Sequence, residues 1–121
     1  MVQILIVDDS PTEIHVLTTI LEKAGHQVLT APNGEEGVAT ARAEKPDLIL
    51  MDVVMPGMNG FQATRTLSKD AETSAIPIII VTTKDQETDR VWGLRQGAKD
   101  YVTKPVDETE LLDKMKALIA G

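Results

Sequence analysis

The feature that most constrains the fold is a series of short apolar runs separated by stretches with helical spacing. Three runs, ILIV at 4–7, LILM at 48–51 and IPIIIV at 76–81, contain almost no polar residues. Strands without polar alternation are typical of parallel sheets, because helices cover both faces of such sheets. The segments HQVLTA at 26–31 and KDYVT at 99–103 are shorter and more polar, and are predicted to be the two edge strands. The sequence therefore predicts an α/β fold, a single doubly wound (βα)5 unit with a parallel sheet.

Helix starts and buried helix faces are also visible in the sequence. Ser10, Pro11 and Glu13 combine an N-cap, a proline at the first helical position and a glutamate at the third. The other four predicted helices have candidate caps as well: Asn33 with Glu36, Asn59, Asp85, and Asp107 with Glu110. Apolar residues at helical spacing predict the buried faces of three helices: Val16, Leu17, Ile20, Leu21 and Ala24 in the first, Val91, Leu94 and Ala98 in the fourth, and Val106, Leu111, Leu112, Met115, Leu118 and Ile119 in the last.

Length, charge and cysteine content exclude several classes of protein. The chain has 121 residues, a formal net charge of −7 and no cysteine. Its length predicts one domain spanning residues 1–121, and its negative charge argues against a nucleic-acid partner. Without cysteine, neither a disulfide framework nor a thiolate metal site is expected. The sequence shows no signal peptide and no apolar run of about 18 residues, so a cytoplasmic protein without membrane insertion is expected.

Polar side chains follow four of the five predicted strands. Asp8 and Asp9 follow the first strand, Asp52 the third, Thr82 the fourth, and Lys104 the fifth. In open parallel sheets, ligands bind outside the carboxyl ends of the strands, near the point where the strand order reverses. With the second strand at an edge, the strand order 2-1-3-4-5 is predicted. Three carboxylates, a hydroxyl and an ammonium group would then face one small volume.

The predicted cluster carries more negative than positive charge. Two carboxylates ~5 Å apart repel by roughly 3 kcal/mol at an effective dielectric constant near 20. One lysine does not balance three aspartates, and hard oxygen ligands favour a Mg²⁺-like cation. Asp9 and Asp52 are predicted to bind this ion directly, and Asp8 partly through water. The two histidines, His15 and His26, are predicted to lie on the surface, which argues against a histidine-based metal site.

A carboxylate beside Mg²⁺, with a lysine and a hydroxyl nearby, suits phosphoryl transfer. Asp52 is the predicted nucleophile, because it stands alone at the end of the central strand. Three other classes of protein fit the sequence less well. A phosphatase of the haloacid-dehalogenase kind would need a D-x-D motif after the first strand and an inserted cap. A nucleotide-binding protein would need G-x-G-x-x-G or a Walker loop, and a phosphorylation-independent binding module would not need the full acidic cluster.

These residues resemble the receiver domain of two-component response regulators, with the CheY-like, flavodoxin-like fold, over essentially the whole chain. The resemblance rests on the motifs VDDS, LMDVVMPGMNG, IIIVTT and DYVTKP. It implies the following roles: phosphoacceptor, Asp52; Mg²⁺ ligands, Asp8, Asp9, Asp52 and the backbone carbonyl of Val54; phosphoryl contacts, Thr82 and Lys104; switch residues, Thr82 and Tyr101; and a cis peptide between Lys104 and Pro105.

Three longer segments, VDDSPTE, KDAETSAIPIIIVTTKDQETD and RQGAKDYVTKPVDE, are similar to the stand-alone regulators of type IV pilus twitching motility, the PilH kind. This resemblance implies a chemotaxis-like system, a histidine kinase as phosphodonor and no output domain. It also implies a monomer that catalyses only its own phosphorylation and dephosphorylation. A motility or signalling protein would bind the face formed by the fourth helix, fifth strand and fifth helix. A role as a phosphate sink for the same kinase stays open.

Several residues around the expected site allow two interpretations. Val54 and Lys84 flank the route by which water would reach an aspartyl phosphate, and Lys84 either screens the phosphate or pairs with an acidic neighbour. Gly93 either weakens the fourth helix for switching or permits close packing. Trp92 is expected to be half buried. Tyr101 is expected to lie either inward or in solvent.

Overall fold

The computed structural model describes residues 2–119, which form five strands and five helices in strict alternation. The elements are β1 (Gln3–Val7), α1 (Pro11–Lys23), β2 (Gln27–Ala31), α2 (Gly34–Glu44), β3 (Leu48–Met51), α3 (Gly60–Lys69), β4 (Ile78–Thr82), α4 (Glu87–Gln96), β5 (Asp100–Thr103) and α5 (Glu108–Ile119). All neighbouring strands pair in parallel, in the order β2-β1-β3-β4-β5. The predicted fold class, strand order and edge strands are confirmed.

The sheet is buried on both faces, as its continuous apolar strands predict. Successive side chains of a strand point to opposite faces, and residues 4–7 of β1 are all 0% exposed. One face packs on α1 and α5: Ile4, Ile6, Leu17, Leu21, Leu111 and Met115 share a cluster. The other face packs on α2 and α3: Leu5, Val7, Val38, Ala41, Ala63 and Leu67 share a second cluster. Phe61 at the start of α3 is partly buried against a smaller cluster that contains Ile80 and Tyr101.

Most predicted helix caps are present. Four side chains accept the expected backbone hydrogen bonds: Ser10 from Glu13 at 3.3 Å, Asn33 from Glu36 at 2.9 Å, Asn59 from Gln62 at 2.9 Å and Asp107 from Glu110 at 2.8 Å. The prediction of Asp85 as the cap of α4 was wrong. Gln86 is the N-cap residue, and its backbone N–H donates to Asp89 Oδ2 at 3.3 Å. Asp89, one turn further along, therefore closes the helix start by reaching back.

The fourth strand starts two residues later than its apolar run suggested. Ile76 ends the preceding turn, where its N–H donates to the Thr73 carbonyl at 3.0 Å. Pro77 has no N–H to donate, and its carbonyl accepts from Ile49 N–H at 3.0 Å. The regular strand therefore begins at Ile78.

Helix α4 packs on the sheet through a face that its apolar residues did not indicate. Val91 and Leu94 were predicted to be buried, but they are 42% and 37% exposed, and Trp92 is 51% exposed. Gly93 and Gln96 are buried instead. A Cβ at Gly93 would lie 2.7 Å from Ile80 Cδ1, so the glycine allows the helix to approach the sheet closely. Close packing, the second interpretation of Gly93, is the one that the structure supports.

Three smaller predictions were also wrong. Val16 of α1 is 40% exposed, because it lies one helical step of about 100° from the buried Leu17. Ala24, the C-cap residue of α1, was predicted to be buried and is exposed. His26 is partly buried and its Nδ1 has no partner within residues 2–119, whereas His15 is exposed as predicted. Among the described residues, no helix has both the length and the apolar character needed to cross a membrane.

Candidate functional site

The backbone brings the loops after β1 and β3 together at the carboxyl edge of the sheet. Asp52 N–H donates to the Val7 carbonyl at 2.9 Å, and Asp8 N–H donates to the Ala31 carbonyl at 3.1 Å. These bonds extend the parallel ladder beyond the strands themselves. As a result, Asp8, Asp9 and Asp52 each offer a carboxylate oxygen within 4.8 Å of the others. Asp8 and Asp52 are buried, at 1% and 7% exposure, and Asp9 is exposed.

Lys104 supplies the positive charge nearest to this cluster. Its Nζ donates to Asp8 Oδ2 at 2.8 Å and lies 3.7 Å from Asp52 Oδ2. The side chain is only 7% exposed, and the Lys104–Pro105 peptide is cis. Glu13 Oε2 lies 4.0 Å from the same Nζ. Sequence reasoning treated Glu13 only as a capping residue, although its place in the first turn after Asp8 and Asp9 could have indicated a position at the rim of the site.

Burial and charge perturb the ionisation of both central groups. Burial raises the pKa of Asp52, and the negative charge of Asp8 raises it further, against the opposing effects of Lys104, the Val53 N–H and the Thr82 side chain. Burial alone would lower the pKa of Lys104, but the hydrogen bond to Asp8 and the charges of Asp52 and Glu13 outweigh it, so this pKa is raised. The ammonium group therefore stays charged, and the cluster keeps an excess of negative charge.

The donor set fits a hard divalent cation. All three acidic side chains offer carboxylate oxygens, which Mg²⁺ prefers, and one ammonium group leaves their charge incompletely balanced. Burial, followed by the negative charge of Asp8, raises the pKa of Asp52, so a cation bound beside it would favour the carboxylate form. Val54, two residues after Asp52, has a side chain that is 60% exposed.

Thr82 and Tyr101 lie on neighbouring strands beside Asp52. Thr82 is 0% exposed at the end of β4, and its Oγ1 accepts from Lys84 N–H at 3.4 Å. Tyr101 is 5% exposed, so its ring takes the inward position, and its hydroxyl donates to the Lys84 carbonyl at 2.7 Å. Burial, followed by the charges of nearby aspartates, raises the pKa of Tyr101 to about 12. The tyrosine hydroxyl therefore remains a hydrogen-bond donor at physiological pH.

The structure distinguishes between the two roles predicted for the Lys84 side chain, screening of a phosphate and pairing with an acidic neighbour. Its Nζ lies 3.8 Å from Asp89 Oδ1 on the first turn of α4. The Lys84 side chain therefore forms an ion pair with an acidic residue of α4. The sequence alone did not identify Asp89 as that neighbour, because the pair depends on how α4 sits on the sheet.

The sequence pattern of the family described as the response regulator receiver domain matches residues 4–116. The chain belongs to this family. The receiver domain is 73% identical over 121 residues to the protein PilH of Pseudomonas aeruginosa, and the match covers 100% of both chains.

Solved structures of other receiver domains have the same fold. The chemotaxis protein CheY4 of Vibrio cholerae superposes with a TM-score of 0.90 at 30% identity, covering 98% of each chain. The receiver domain of the sensor histidine kinase PA1611 from Pseudomonas aeruginosa superposes with a TM-score of 0.92 at 31% identity, covering 99% of this chain and 98% of that one. That structure holds a magnesium ion coordinated in its active site cleft.

The ionisation of Asp52 leads to a prediction about the receiver domain without bound metal. Folding raises the pKa of Asp52, so this carboxyl holds a proton more often in the folded state than in the unfolded state. The free energy of unfolding therefore falls as pH rises through the folded-state pKa. Asp52→Asn removes this cost and is expected to raise the free energy of unfolding by on the order of 1 kcal/mol at neutral pH in EDTA. The gain should shrink as pH falls through the folded pKa, where the native carboxyl is protonated. Urea unfolding at several pH values measures it.

Asp70 provides a control of opposite sign. The Glu72 N–H, followed by the Arg42 side chain, lowers the pKa of Asp70. Asp70→Asn is therefore expected to lose stability above the normal pKa of aspartate. A gain of the same size in both variants would show that loss of net charge, and not the surroundings of Asp52, is responsible.

Proposed function

We propose that this receiver domain is a stand-alone response regulator that accepts a phosphoryl group from a histidine kinase onto Asp52. The observation that carries the proposal is the buried Asp52 carboxylate, with Asp8 and Asp9 within 4.8 Å and the Lys104 ammonium at 3.7 Å. A nucleophilic carboxylate next to an ammonium group and further acidic ligands is the arrangement that phosphoryl transfer to aspartate requires.

The groups around Asp52 have distinct roles in the proposed phosphoryl transfer. The Val53 N–H donates to Asp52 Oδ1 at 2.8 Å and orients the carboxylate. An oxygen of Asp52 attacks the phosphorus atom while the bond from phosphorus to the donor imidazole nitrogen breaks, and the electron pair stays on that nitrogen. Lys104, paired with Asp8 beforehand, balances charge on the phosphoryl oxygens. The Thr82 hydroxyl donates to a phosphoryl oxygen.

A bound Mg²⁺ would supply the positive charge that the cluster lacks. The residues that would hold it are the Asp9 and Asp52 carboxylates and the Val54 backbone carbonyl, with Asp8 acting partly through water. Magnesium in the cleft of the PA1611 receiver domain supports this assignment. The three carboxylates grouped beside the Lys104 ammonium group support it independently.

The output is proposed to pass through Thr82 and Tyr101 to the face formed by α4, β5 and α5. A phosphoryl group on Asp52 would attract the Thr82 hydroxyl and so shift the segment that follows β4. Tyr101 contacts this segment through the hydrogen bond from its hydroxyl to the Lys84 carbonyl. The exposed Val91 and Trp92 on α4 favour an effector that binds a motility or signalling protein over a phosphate sink. Full-length similarity to PilH supports a role in chemotaxis-like control of type IV pilus twitching motility. We propose that the protein acts as a monomer in the cytoplasm.

Labelling with a small phosphodonor tests the proposal. Incubation with acetyl phosphate and Mg²⁺ is expected to add one phosphoryl group, seen by intact mass spectrometry, and EDTA is expected to prevent it. Asp52→Asn should abolish the adduct, whereas Asp113→Asn, at an exposed position of α5, should retain it. An equal adduct in Asp52→Asn would contradict the assignment. Turnover of a phosphomonoester without any adduct would instead favour a phosphatase of the haloacid-dehalogenase kind.

A further inference from the structure

Lys84 is held beside the phosphorylation site by its backbone. Its N–H donates to Thr82 Oγ1 at 3.4 Å, and its carbonyl accepts from the Tyr101 hydroxyl at 2.7 Å. Both partners are buried, at 0% and 5% exposure. The Cα of Lys84 therefore has a fixed position next to Thr82, whose side chain in turn influences the Asp52 carboxylate. These two hydrogen bonds fix the backbone of Lys84, and its side chain can still change rotamer.

Asp89 determines the direction of the Lys84 side chain in the structure. Its Oδ1 lies 3.8 Å from Lys84 Nζ, while its Oδ2 accepts from the Gln86 N–H at 3.3 Å. The second bond anchors the carboxylate to the start of α4, and the Asp89 side chain is 22% exposed against 41% for Lys84. The Asp89 carboxylate, which is bonded to the start of α4, thus holds the more exposed Lys84 ammonium group. Within residues 2–119, Asp89 is the ion-pair partner found for Lys84.

We propose that Asp89 is a positioning residue, which holds the Lys84 ammonium group away from the phosphoryl site and thereby shortens the lifetime of the phosphorylated domain. This inference rests on the proposed function. Phosphorylation places a doubly charged group next to Thr82, and this group competes with Asp89 for Lys84. The strength of the Lys84–Asp89 pair decides how often the ammonium group crosses to the phosphate.

The consequence concerns hydrolysis of the aspartyl phosphate. A water oxygen forms a bond to phosphorus, the bond from phosphorus to the Asp52 oxygen breaks, and its electron pair returns to the carboxylate, while the protons leave with inorganic phosphate and solvent. Lys84 turned toward the site would pair with a phosphoryl oxygen and occupy the approach of that water. The exposed Val54, two residues after Asp52, has an apolar side chain with no group that could orient the water. Release of Lys84 from Asp89 should therefore slow hydrolysis.

The experiment measures the lifetime of the adduct in a double-mutant cycle. Each protein is phosphorylated with acetyl phosphate and Mg²⁺, the donor is removed, and loss of the phosphoryl group is followed by intact mass. Asp89→Asn keeps an oxygen that can cap α4 but loses the charge. Its half-life is expected to be about two- to fivefold longer than that of the wild type, the range that an exposed ion pair allows. Asp89→Glu is expected to restore the wild-type half-life.

The background without Lys84 separates positioning from helix stability. Lys84→Ala and the double variant Lys84→Ala/Asp89→Asn are expected to have the same half-life. An effect of Asp89→Asn that persists without Lys84 would overturn the proposal, as would a half-life equal to or shorter than that of the wild type. If the wild type takes up no phosphoryl group at all, the proposed function itself fails. If every protein is labelled and only the cycle shows no coupling, the failure belongs to this inference alone.

Discussion

Lys104→Met is expected to lower the free energy of unfolding by about 3 kcal/mol in the absence of divalent cations, because removal of one partner leaves buried charges uncompensated. Asp8 and Asp52 are 1% and 7% exposed, and the Lys104 side chain itself is 7% exposed. Methionine can fill much of the volume of the lysine stem, so the loss reports charge more than packing. Urea unfolding in EDTA at neutral pH measures it.

Two further measurements identify the origin of this loss. Mg²⁺ should restore part of the stability of Lys104→Met, since binding to the native state adds stability. Lys23→Met is the matched control, because Lys23 is 75% exposed and lies 4.0 Å from Glu108; it should cost less than about 1 kcal/mol. Equal losses in the two variants would contradict the argument. Since the folded state raises the pKa of Lys104, the advantage of the wild type should persist at neutral pH and disappear only as pH rises through that pKa.

Gly60→Ala is expected to destabilise the domain by about 3 kcal/mol, the upper range for forcing extra atoms into a packed interior. A Cβ at Gly60 would overlap the backbone carbonyl oxygen of Asp52 and lie 2.8 Å from Val53 Cα. Backbone atoms cannot rotate away as a side chain can. The start of α3 would have to lift from the loop after β3, which would strain the hydrogen bond from Gly60 N–H to the Val53 carbonyl at 3.0 Å.

Gly25→Ala separates this clash from the general cost of replacing glycine. Gly25 has a φ of +90°, and a Cβ there would meet no atom within 4 Å. Only conformational strain of roughly 1–2 kcal/mol is expected at this position. Thermal or urea unfolding compares the two variants directly. A smaller loss in Gly60→Ala than in Gly25→Ala would show that the loop carrying Asp52 yields more easily than the structure indicates.

The local rules of the sequence predicted the architecture well. Apolar runs without polar alternation identified the central strands, and short polar caps such as Asn33 and Asn59 identified helix starts. The order of the strands was predicted from edge character together with the resemblance to flavodoxin-like receiver domains, and with it the convergence of Asp8, Asp52 and Lys104 at one edge. These features depend on residues within a few positions of one another or on the handedness and pairing shared by all parallel sheets.

Contacts between distant segments were decided only by the tertiary structure. The apolar spacing of Val91 and Leu94 predicted the wrong face of α4, because the absence of a side chain at Gly93 lets that helix approach Ile80. Its seating in turn places Asp89 beside Lys84, and the same packing keeps Tyr101 inward. The sequence by itself determined which elements form and which strand ends meet. The directions of Lys84 and Tyr101 required the tertiary structure, because helix seating depends on the shapes of side chains that meet from different elements.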